Sequence, residues 1–410
     1  MCKRVKIYRY KSEYTYTQKM KKFIEYLDAC ALQKDVLETD YLTMIHHING
    51  NYHFNNVGPL PLLMPIYNGK TSYLKWQQKH ETTLVAPLQI KKKMKYIDAN
   101  ISTIHDILTI IEENPYDTAY EYNIDLYALH SISDELKHLD AMIGLDNLKR
   151  SIVDQLLYFI QKLHIGNDAD FKHTVLSGPP GTGKTEIAKL LGLLYSKIGI
   201  LKSNSFQKVT RSDLIAGYLG QTAIKTQKVI ENSLGGVLFI DEAYSLADYS
   251  QNDSFSKECI DTICEALSNH KDNLMVIIAG YEEELNHTFF KANKGLESRF
   301  IWRFKMDAYS PKEMSQIFLK KVNDNGWNYE KNTNNIDKWF VKNKDSFTNY
   351  GRDMESLFTH TKISHSRRIY GKTQEERKLI TMHDLEKGYD TFIKNKNMQY
   401  RSNVITDMYV

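Results

Sequence analysis

The segment at residues 178–185 constrains the fold more than any other part of this chain. It follows a short apolar run and precedes a helical pattern, and its spacing of Gly, Lys and Thr matches a phosphate-binding loop. The glycines let the backbone curl so that its N–H groups face a phosphate. The lysine can reach the β- and γ-phosphates, and the last threonine can bind Mg²⁺. The loop residues are Gly178, Pro179, Pro180, Gly181, Thr182, Gly183, Lys184 and Thr185. They predict a site for ATP and Mg²⁺.

An acidic element lies downstream of this loop. The apolar run Val237–Ile240 ends in Asp241 and Glu242. In a parallel sheet such a strand places both carboxylates at the carboxyl edge, where ligands bind. Asp241 is predicted to hold the Mg²⁺ shell, and Glu242 to orient or deprotonate the attacking water. Many strands end in two acids, so it is the preceding phosphate-binding loop that makes this interpretation specific.

Apolar runs alternate with amphipathic helical patterns in the middle of the chain. Five runs read as strands: His173–Ser177, Phe206–Val209, Val237–Ile240, Leu274–Ala279 and Trp302–Met306. Helical patterns lie between them at Thr185–Ile198, Thr222–Ser233 and Phe255–Asn269. This alternation is typical of α/β proteins and predicts a parallel five-stranded sheet with helices on both faces.

The pattern also predicts how the chain divides. An N-terminal region over 1–135 reads as mostly helical, and no motif indicates its role. Residues 136–306 form the α/β domain, and residues 307–400 form a small helical domain. The last residues, 401–410, are assigned to a tail.

Individual segments support this division. In the N-terminal region, Lys19–Leu32 and Ile101–Glu113 have helical patterns. The helical domain opens at Ser310 and Pro311, which suit an N-cap and the first helical position. Polar residues dominate from about Asn395, which favours a tail rather than a packed element.

Charge and hydropathy exclude several classes of protein. The net charge is +4, so the total indicates no nucleic-acid partner, although basic runs occur at Lys3–Lys22 and Lys91–Lys95. Such runs are usually solvated faces. No apolar run reaches the ~18 residues of a membrane span, and the first residues lack the apolar core of a signal peptide. We expect a soluble intracellular protein, in a compartment that the sequence does not indicate.

From Ile143 to about Arg368 the chain resembles AAA+ ATPases of the CbxX/CfqX type, the branch that includes red-type rubisco activases and sporulation-type ATPases. The matching segments are Gly178–Thr185, Arg211–Leu214, Gly217–Thr222, Phe239–Leu246, Ile278–Tyr281 and Gly295–Phe300. The resemblance implies a P-loop AAA+ domain, a parallel five-stranded sheet followed by a small helical lid. It also implies ATP hydrolysis by a homo-oligomeric ring, expected to be a hexamer.

The resemblance assigns roles to three further residues. Arg299 looks like the arginine finger that completes the site of a neighbouring subunit, a role suited to a guanidinium. Arg352 is similar to the sensor 2 arginine of the lid. Tyr218 aligns with the pore-loop aromatic that grips a polypeptide substrate. The family usually has a second arginine two residues before the finger, where this chain has Glu297.

Three functions are compatible with these motifs. The first is ATP-driven remodelling of a protein substrate, which the aromatic loop at Tyr218 and the finger at Arg299 favour. The second is a nucleic-acid motor or loader, which only the basic runs support and which a steep salt dependence of binding would indicate. The third is a nucleotide-gated scaffold with slow turnover, against which the intact pair Asp241 and Glu242 argues. The protein substrate itself is not identified by the sequence.

Overall fold

The structure is a computed structural model that describes residues 92–165, 170–218, 220–247, 254–330, 333–373 and 376–407. These residues belong to one compact unit that begins at Lys92. The helix predicted over Lys19–Leu32, the basic run Lys3–Lys22 and Leu219 lie outside the described residues. The predicted division of the chain into regions stays a prediction.

The first described elements are two short strands and three helices. In chain order they are β1 (Lys93–Lys95), α1 (Ile104–Glu113), β2 (Tyr120–Tyr122), α2 (Leu126–Ser131) and α3 (Ser133–Asp140). Helix α1 starts three residues later than the predicted Ile101, because the Thr103 side chain caps it and Asp106 completes a capping box. Strands β1 and β2 pair in parallel.

The middle of the chain forms the predicted sheet. Its elements are α4 (Asp146–Ile160), β3 (Thr174–Ser177), α5 (Lys184–Lys197), β4 (Phe206–Val209), α6 (Arg211–Leu214), α7 (Thr222–Asn232), β5 (Val237–Ile240), α8 (Ser254–Asn269), β6 (Met275–Gly280), α9 (Glu282–His287), α10 (Phe289–Ala292), α11 (Gly295–Arg299) and β7 (Trp302–Lys305). The strand order is β4-β5-β6-β3-β7, and every pair is parallel. The predicted parallel five-stranded sheet is confirmed.

Each face of the sheet covers its own core. Phe239 and Ile277 pack with residues of α1 to α5, whereas Leu238 and Ile278 pack with residues of α7 and α8. Successive residues of a strand point to opposite faces, so a strand buried on both sides must be apolar throughout. The run Val237–Ile240 is fully buried for that reason. The carboxyl ends of β3 and β5 therefore lie at one edge of a rigid layer.

The last elements build a third core. They are α12 (Pro311–Asp324), β8 (Asn328–Tyr329), α13 (Thr333–Lys342), α14 (Tyr350–Ile369), β9 (Leu379–Ile380) and α15 (Met382–Asp407). Helix α12 begins as predicted, since Ser310 caps it and Pro311 is its first residue. Helix α15 runs to Asp407, through the residues from about Asn395 that were predicted to form a tail, and the tail itself stays a prediction. No Gly or Pro occurs after Gly388 to stop that helix.

No helix among the described residues is both long and apolar enough to cross a membrane.

Candidate active site

The phosphate-binding loop joins the end of β3 to the start of α5. Gly181 has a φ of +72° and Gly183 a φ of +97°, both in the left-handed region that favours glycine. Gly183 is the N-cap of α5, and its carbonyl accepts hydrogen bonds from the N–H groups of Glu186 and Ile187 at 2.9 and 3.0 Å. Thr185 therefore lies in the first helical turn. The N–H groups at the very start of the helix lack intrahelical partners and carry positive partial charge, which suits an anion.

Lys184 lies over the same loop. Its Nζ donates hydrogen bonds to the carbonyl oxygens of Gly178 at 2.8 Å and Pro179 at 2.7 Å. Burial lowers the pKa of Lys184, and the charge of Asp241 partly offsets that shift. The ring centroid of Tyr281 is 5.9 Å from the same nitrogen. The ammonium is thus positioned where the loop, the acidic pair and an aromatic ring meet.

The two acids follow β5 directly. The N–H of Asp241 donates to the carbonyl of Val209 at 3.0 Å, so the pairing with β4 extends to this residue. Its carboxylate accepts a contact of 2.6 Å from Nζ of Lys208. Glu242 is exposed and has a φ of +53°. A left-handed glutamate costs roughly 1–3 kcal/mol, and such strain is typical of functional sites. The backbone therefore bends at Glu242, directly after the strand, and leaves its side chain exposed.

An open cleft of about 470 Å³ lies beside these acids. The cleft joins the end of β5 to helix α6 and is lined by Thr210, Arg211, Ser212, Ile215, Asp241, Glu242 and Ser245. Nη1 of Arg211 donates to the carbonyl of Ser245 at 2.6 Å and contacts the Ser256 hydroxyl at 3.0 Å. The segment after Glu242 is therefore tied to the strand end on the opposite side of the cleft.

The helical domain contacts the phosphate-binding loop through its backbone. The N–H of Gly351 donates to the carbonyl of Gly181 at 3.0 Å, and the next residue is Arg352. The hydroxyl of Tyr309 donates to the carbonyl of Thr182 at 3.1 Å. A Cβ on Gly181 would lie 2.0 Å from the carbonyl oxygen of Asn349. The loop and the start of α14 therefore pack too closely for any side chain between them.

Comparisons with known proteins agree with this geometry. The family model "ATPase family associated with various cellular activities (AAA)" matches residues 174–301. The putative cfxQ-like protein R730 of Acanthamoeba polyphaga mimivirus is 40% identical over 290 residues, which are 70% of this chain and 71% of that protein. The stage V sporulation protein K of Bacillus subtilis is 36% identical over 227 residues, 53% of this chain and 68% of that protein. The chain is a CbxX/CfqX-type AAA+ ATPase.

A further relative shares only part of its length with this AAA+ ATPase. The ESX-1 secretion system protein EccA1 of Mycobacterium tuberculosis is 43% identical over 148 residues. Those residues are 36% of this chain and 26% of the relative. ATP binding follows from membership of the family, and ATP hydrolysis is a property of that family.

The loop residues of this AAA+ ATPase fit a nucleotide. Gly181 and Gly183 have the left-handed backbone that lets such a loop turn its N–H groups toward a phosphate, and Lys184 adds a cation. Thr185 and Asp241 supply a hydroxyl and a carboxylate, the oxygen donors that Mg²⁺ prefers. Thr185 lies in α5 and Asp241 directly follows β5, at the same edge of the sheet. The donor set therefore suits Mg²⁺ together with a polyphosphate.

A Gly181→Ala variant tests the contact between the loop and the helical domain. Alanine would combine backbone strain at φ +72° with the clash against Asn349. We expect the free energy of unfolding to fall by about 2–4 kcal/mol and nucleotide affinity to fall by about tenfold or more.

The control is Gly199→Ala, at a φ of +80° with nothing within 4 Å of a Cβ. It carries the strain alone, about 1–2 kcal/mol, and should bind nucleotide normally. Thermal unfolding and calorimetric titration measure both effects. Equal behaviour of the two variants would contradict the proposed contact.

Arg299 of this AAA+ ATPase lies apart from the loop and the acids. Its Nε donates to the Ser268 hydroxyl at 2.7 Å, and its Nη1 donates to the carbonyl of Gly295 at 2.6 Å. The guanidinium carbon is 5.9 Å from the ring centroid of Phe171. Glu297, which departs from the family pattern, contacts Arg303 at 3.5 Å. Arg299 is therefore half-buried at the end of α11 and held by contacts within the chain.

Tyr218 lies on an exposed loop. Its side chain is 75% exposed, so it does not pack in a core. The loop is anchored at both ends, since the N–H of Ala216 donates to the hydroxyl of Thr222 at 3.2 Å. Nζ of Lys225 also donates to the carbonyls of Ser212 at 2.6 Å and Ile215 at 2.9 Å. The ring of Tyr218 is thus exposed to solvent on a loop whose ends are held by hydrogen bonds.

Sequence reasoning missed four residues near the site. Tyr281 packs under Lys184, Tyr309 and Asn349 contact the phosphate-binding loop, and Lys208 pairs with Asp241. A signal existed for Tyr281 alone, since it follows a predicted strand at the carboxyl edge. The other three contacts depend on the order of the strands and on how the helical domain packs against the loop, which the sequence does not reveal.

Proposed function

We propose that this AAA+ ATPase hydrolyses Mg·ATP and uses the energy to remodel a protein substrate as an oligomeric ring. The observation that carries the proposal is the exposed Tyr218 on a loop anchored beside the acidic pair. An exposed aromatic side chain can grip an extended polypeptide through apolar contact. A nucleotide-gated scaffold has no need of such a residue.

The residues around the loop divide the chemistry between them. The backbone N–H groups of the loop and the ammonium of Lys184 hold the phosphates, and Arg352 reaches them from the helical domain. Thr185 and Asp241 would hold Mg²⁺, which when bound would neutralise charge on the phosphate oxygens. Glu242 accepts a proton from the water whose oxygen attacks the γ-phosphorus, and ADP leaves. The exposed, bent position of Glu242 suits a base that must meet solvent water.

A chain of contacts connects this site with the loop of Tyr218. Glu242 precedes the turn that contains Ser245, and Arg211 binds the Ser245 carbonyl. Arg211 begins α6, and Lys225 binds the carbonyl of Ser212 within that helix and the carbonyl of Ile215 just beyond it. These hydrogen bonds connect the Glu242 segment with the base of the loop, so the proposal assigns to them the coupling of hydrolysis to the loop.

The ring follows from Arg299. Nothing in the described part of the chain brings its guanidinium to the phosphate-binding loop of the same subunit. A second copy of the chain that faces this site would supply the cation that stabilises charge on the transferred phosphoryl group. A head-to-tail contact of this kind generates a closed ring when the rotation between neighbouring subunits closes.

Replacing Tyr218 by alanine separates remodelling from hydrolysis. Because the ring is exposed, we expect the free energy of unfolding to change by less than about 0.5 kcal/mol and basal ATPase activity to survive. Reduced, carboxymethylated α-lactalbumin, a soluble unfolded chain, should stimulate the ATPase of the unsubstituted protein, and this stimulation should be lost in Tyr218→Ala.

Two variants serve as controls. Tyr218→Phe keeps the aromatic grip and should retain the stimulation. Tyr370→Ala removes a tyrosine that is 94% exposed on the helical domain and should also retain it. If Tyr218→Ala responds to the unfolded chain as the unsubstituted protein does, the remodelling proposal loses its support. A joint fall in stability and basal activity would make Tyr218 a packing residue instead.

A further inference from the structure

An ion pair joins Lys208, on the edge strand β4, to Asp241, the acid that follows the neighbouring strand β5. Nζ of Lys208 on β4 is 2.6 Å from Oδ2 of Asp241. In the strand register Lys208 is opposite Phe239, and its Nζ is 5.9 Å from the ring centroid. The lysine therefore reaches along β5 toward the carboxyl edge, and its ammonium contacts the acid.

The pair is placed where a second cation is expected. Oδ2 of Asp241 is one of two carboxylate oxygens available to Mg²⁺ or its bound waters, and an ammonium already contacts it. The positive charge of Lys208 also repels a nearby divalent cation. The side chains of Lys208 and Asp241 are 46% and 19% exposed, so the pair is partly screened and weak enough to exchange.

Within the residues that the structure describes, Lys208 is the one lysine or arginine in ion-pair contact with Asp241. Lys184 approaches the same acid, but its ammonium donates its hydrogen bonds to the carbonyls of Gly178 and Pro179. The position of the Asp241 carboxylate before metal binding is therefore governed by Lys208.

We infer that Lys208 is a positioning residue that holds Asp241 and competes with Mg²⁺ for it, and so sets the Mg²⁺ concentration at which nucleotide is bound. The inference rests on the proposed role of Asp241 in the Mg²⁺ shell. When Mg²⁺ takes the carboxylate, the ammonium is released. Lys208 is two residues before Thr210, which caps α6 at the base of the Tyr218 loop. The released charge therefore appears beside the segment that carries the loop.

The test compares Lys208→Met with the unsubstituted protein. Methionine keeps an unbranched stem and removes the charge. The measurement is the Mg²⁺ concentration that gives half-maximal binding of a fluorescent, non-hydrolysable ATP analogue, which involves no turnover. We expect this concentration to fall by about three- to tenfold.

Two controls isolate the ion pair. Lys208→Arg retains the cation and should keep the Mg²⁺ midpoint of the unsubstituted protein within about twofold. Lys228→Met removes an exposed lysine from α7 and should do the same. If Lys208→Met unfolds, Lys208→Gln repeats the test with a shorter neutral side chain. An unchanged midpoint in the folded neutral variant overturns the inference.

A separate variant tests the assumption that Asp241 belongs to the Mg²⁺ shell. Asp241→Asn should weaken the Mg²⁺ dependence of analogue binding, because an amide is a poorer ligand than a carboxylate. If Asp241→Asn binds like the unsubstituted protein, the proposed role of Asp241 fails, and the inference fails with it. If Asp241→Asn loses the dependence while Lys208→Met changes nothing, only the role of Lys208 is overturned.

Discussion

We expect Lys184→Ala to abolish ATP binding, and Glu242→Gln to keep ATP binding but lose hydrolysis. The lysine supplies the cation of the phosphate-binding loop and two hydrogen bonds to its carbonyls. Its loss removes both the charge and a support of the loop shape. The glutamine keeps the size of Glu242 but cannot accept a proton, which costs about 10²–10⁴-fold in rate. Calorimetry with Mg·ATP and a phosphate-release assay separate the two effects.

The matched control is Lys189→Ala, an exposed lysine on the same helix α5. It should bind and hydrolyse ATP normally, which shows that the loss depends on position and not on net charge. Thermal unfolding without nucleotide checks that Lys184→Ala is folded. Normal ATP binding by folded Lys184→Ala would remove this lysine from the site. Normal hydrolysis by Glu242→Gln would remove Glu242 as the base.

The predictable part of the fold is the part with strong local signals. The five strands of the sheet are short apolar runs, and a parallel sheet covered on both faces demands such runs. Their observed bounds differ from the predicted ones by no more than one residue, as for β6 (Met275–Gly280) against Leu274–Ala279. The start of α12 was equally readable, because Ser310 and Pro311 carry local capping chemistry.

The unpredicted elements lack such signals. Strands β1 and β2 are Lys-Met-Lys and Tyr-Glu-Tyr, and helix α1 separates them in the chain. Three residues are too few to show a hydrophobic period, and the parallel pairing of β1 with β2 joins residues that are distant in the sequence. The polar residues in the last turns of α15 favour a tail, yet no Gly or Pro among them terminates a helix. Composition alone does not end an element.

The site divides in the same way. The phosphate-binding loop and the acidic pair could be located from the sequence, because their chemistry requires adjacent residues. The pair of Lys208 and Asp241 could not, since it requires knowing that β4 lies beside β5. The contact of Asn349 with Gly181 could not be predicted either, since it requires knowing how the helical domain packs against the phosphate-binding loop. Each missed residue approaches the loop or the acids from a distant part of the chain.

Arg299→Ala should fold, bind ATP and hydrolyse it about 10³-fold more slowly, the effect expected of an arginine finger. Arg303→Ala is the matched control. That arginine follows four residues later and contacts Glu297 and the ring of Phe290. Its removal should change the rate much less, because neither contact concerns the transferred phosphoryl group. Single-turnover hydrolysis with ATP in saturating Mg²⁺ measures both.

Mixing two inactive variants decides whether Arg299 acts across a subunit boundary. A subunit with Arg299→Ala keeps its own Glu242, and a neighbour with Glu242→Gln keeps its own Arg299. Where the two meet in the right order, one complete site forms. An equal mixture should therefore regain activity at roughly a quarter of its sites, and the rate per subunit should rise with protein concentration as rings assemble. If the variants assemble together and remain inactive, Arg299 serves its own subunit through Ser268 and Gly295, the contacts it makes in this structure. A lowered melting temperature in Ser268→Ala, together with a slowed ATPase, would then identify Arg299 as part of the internal support of α11.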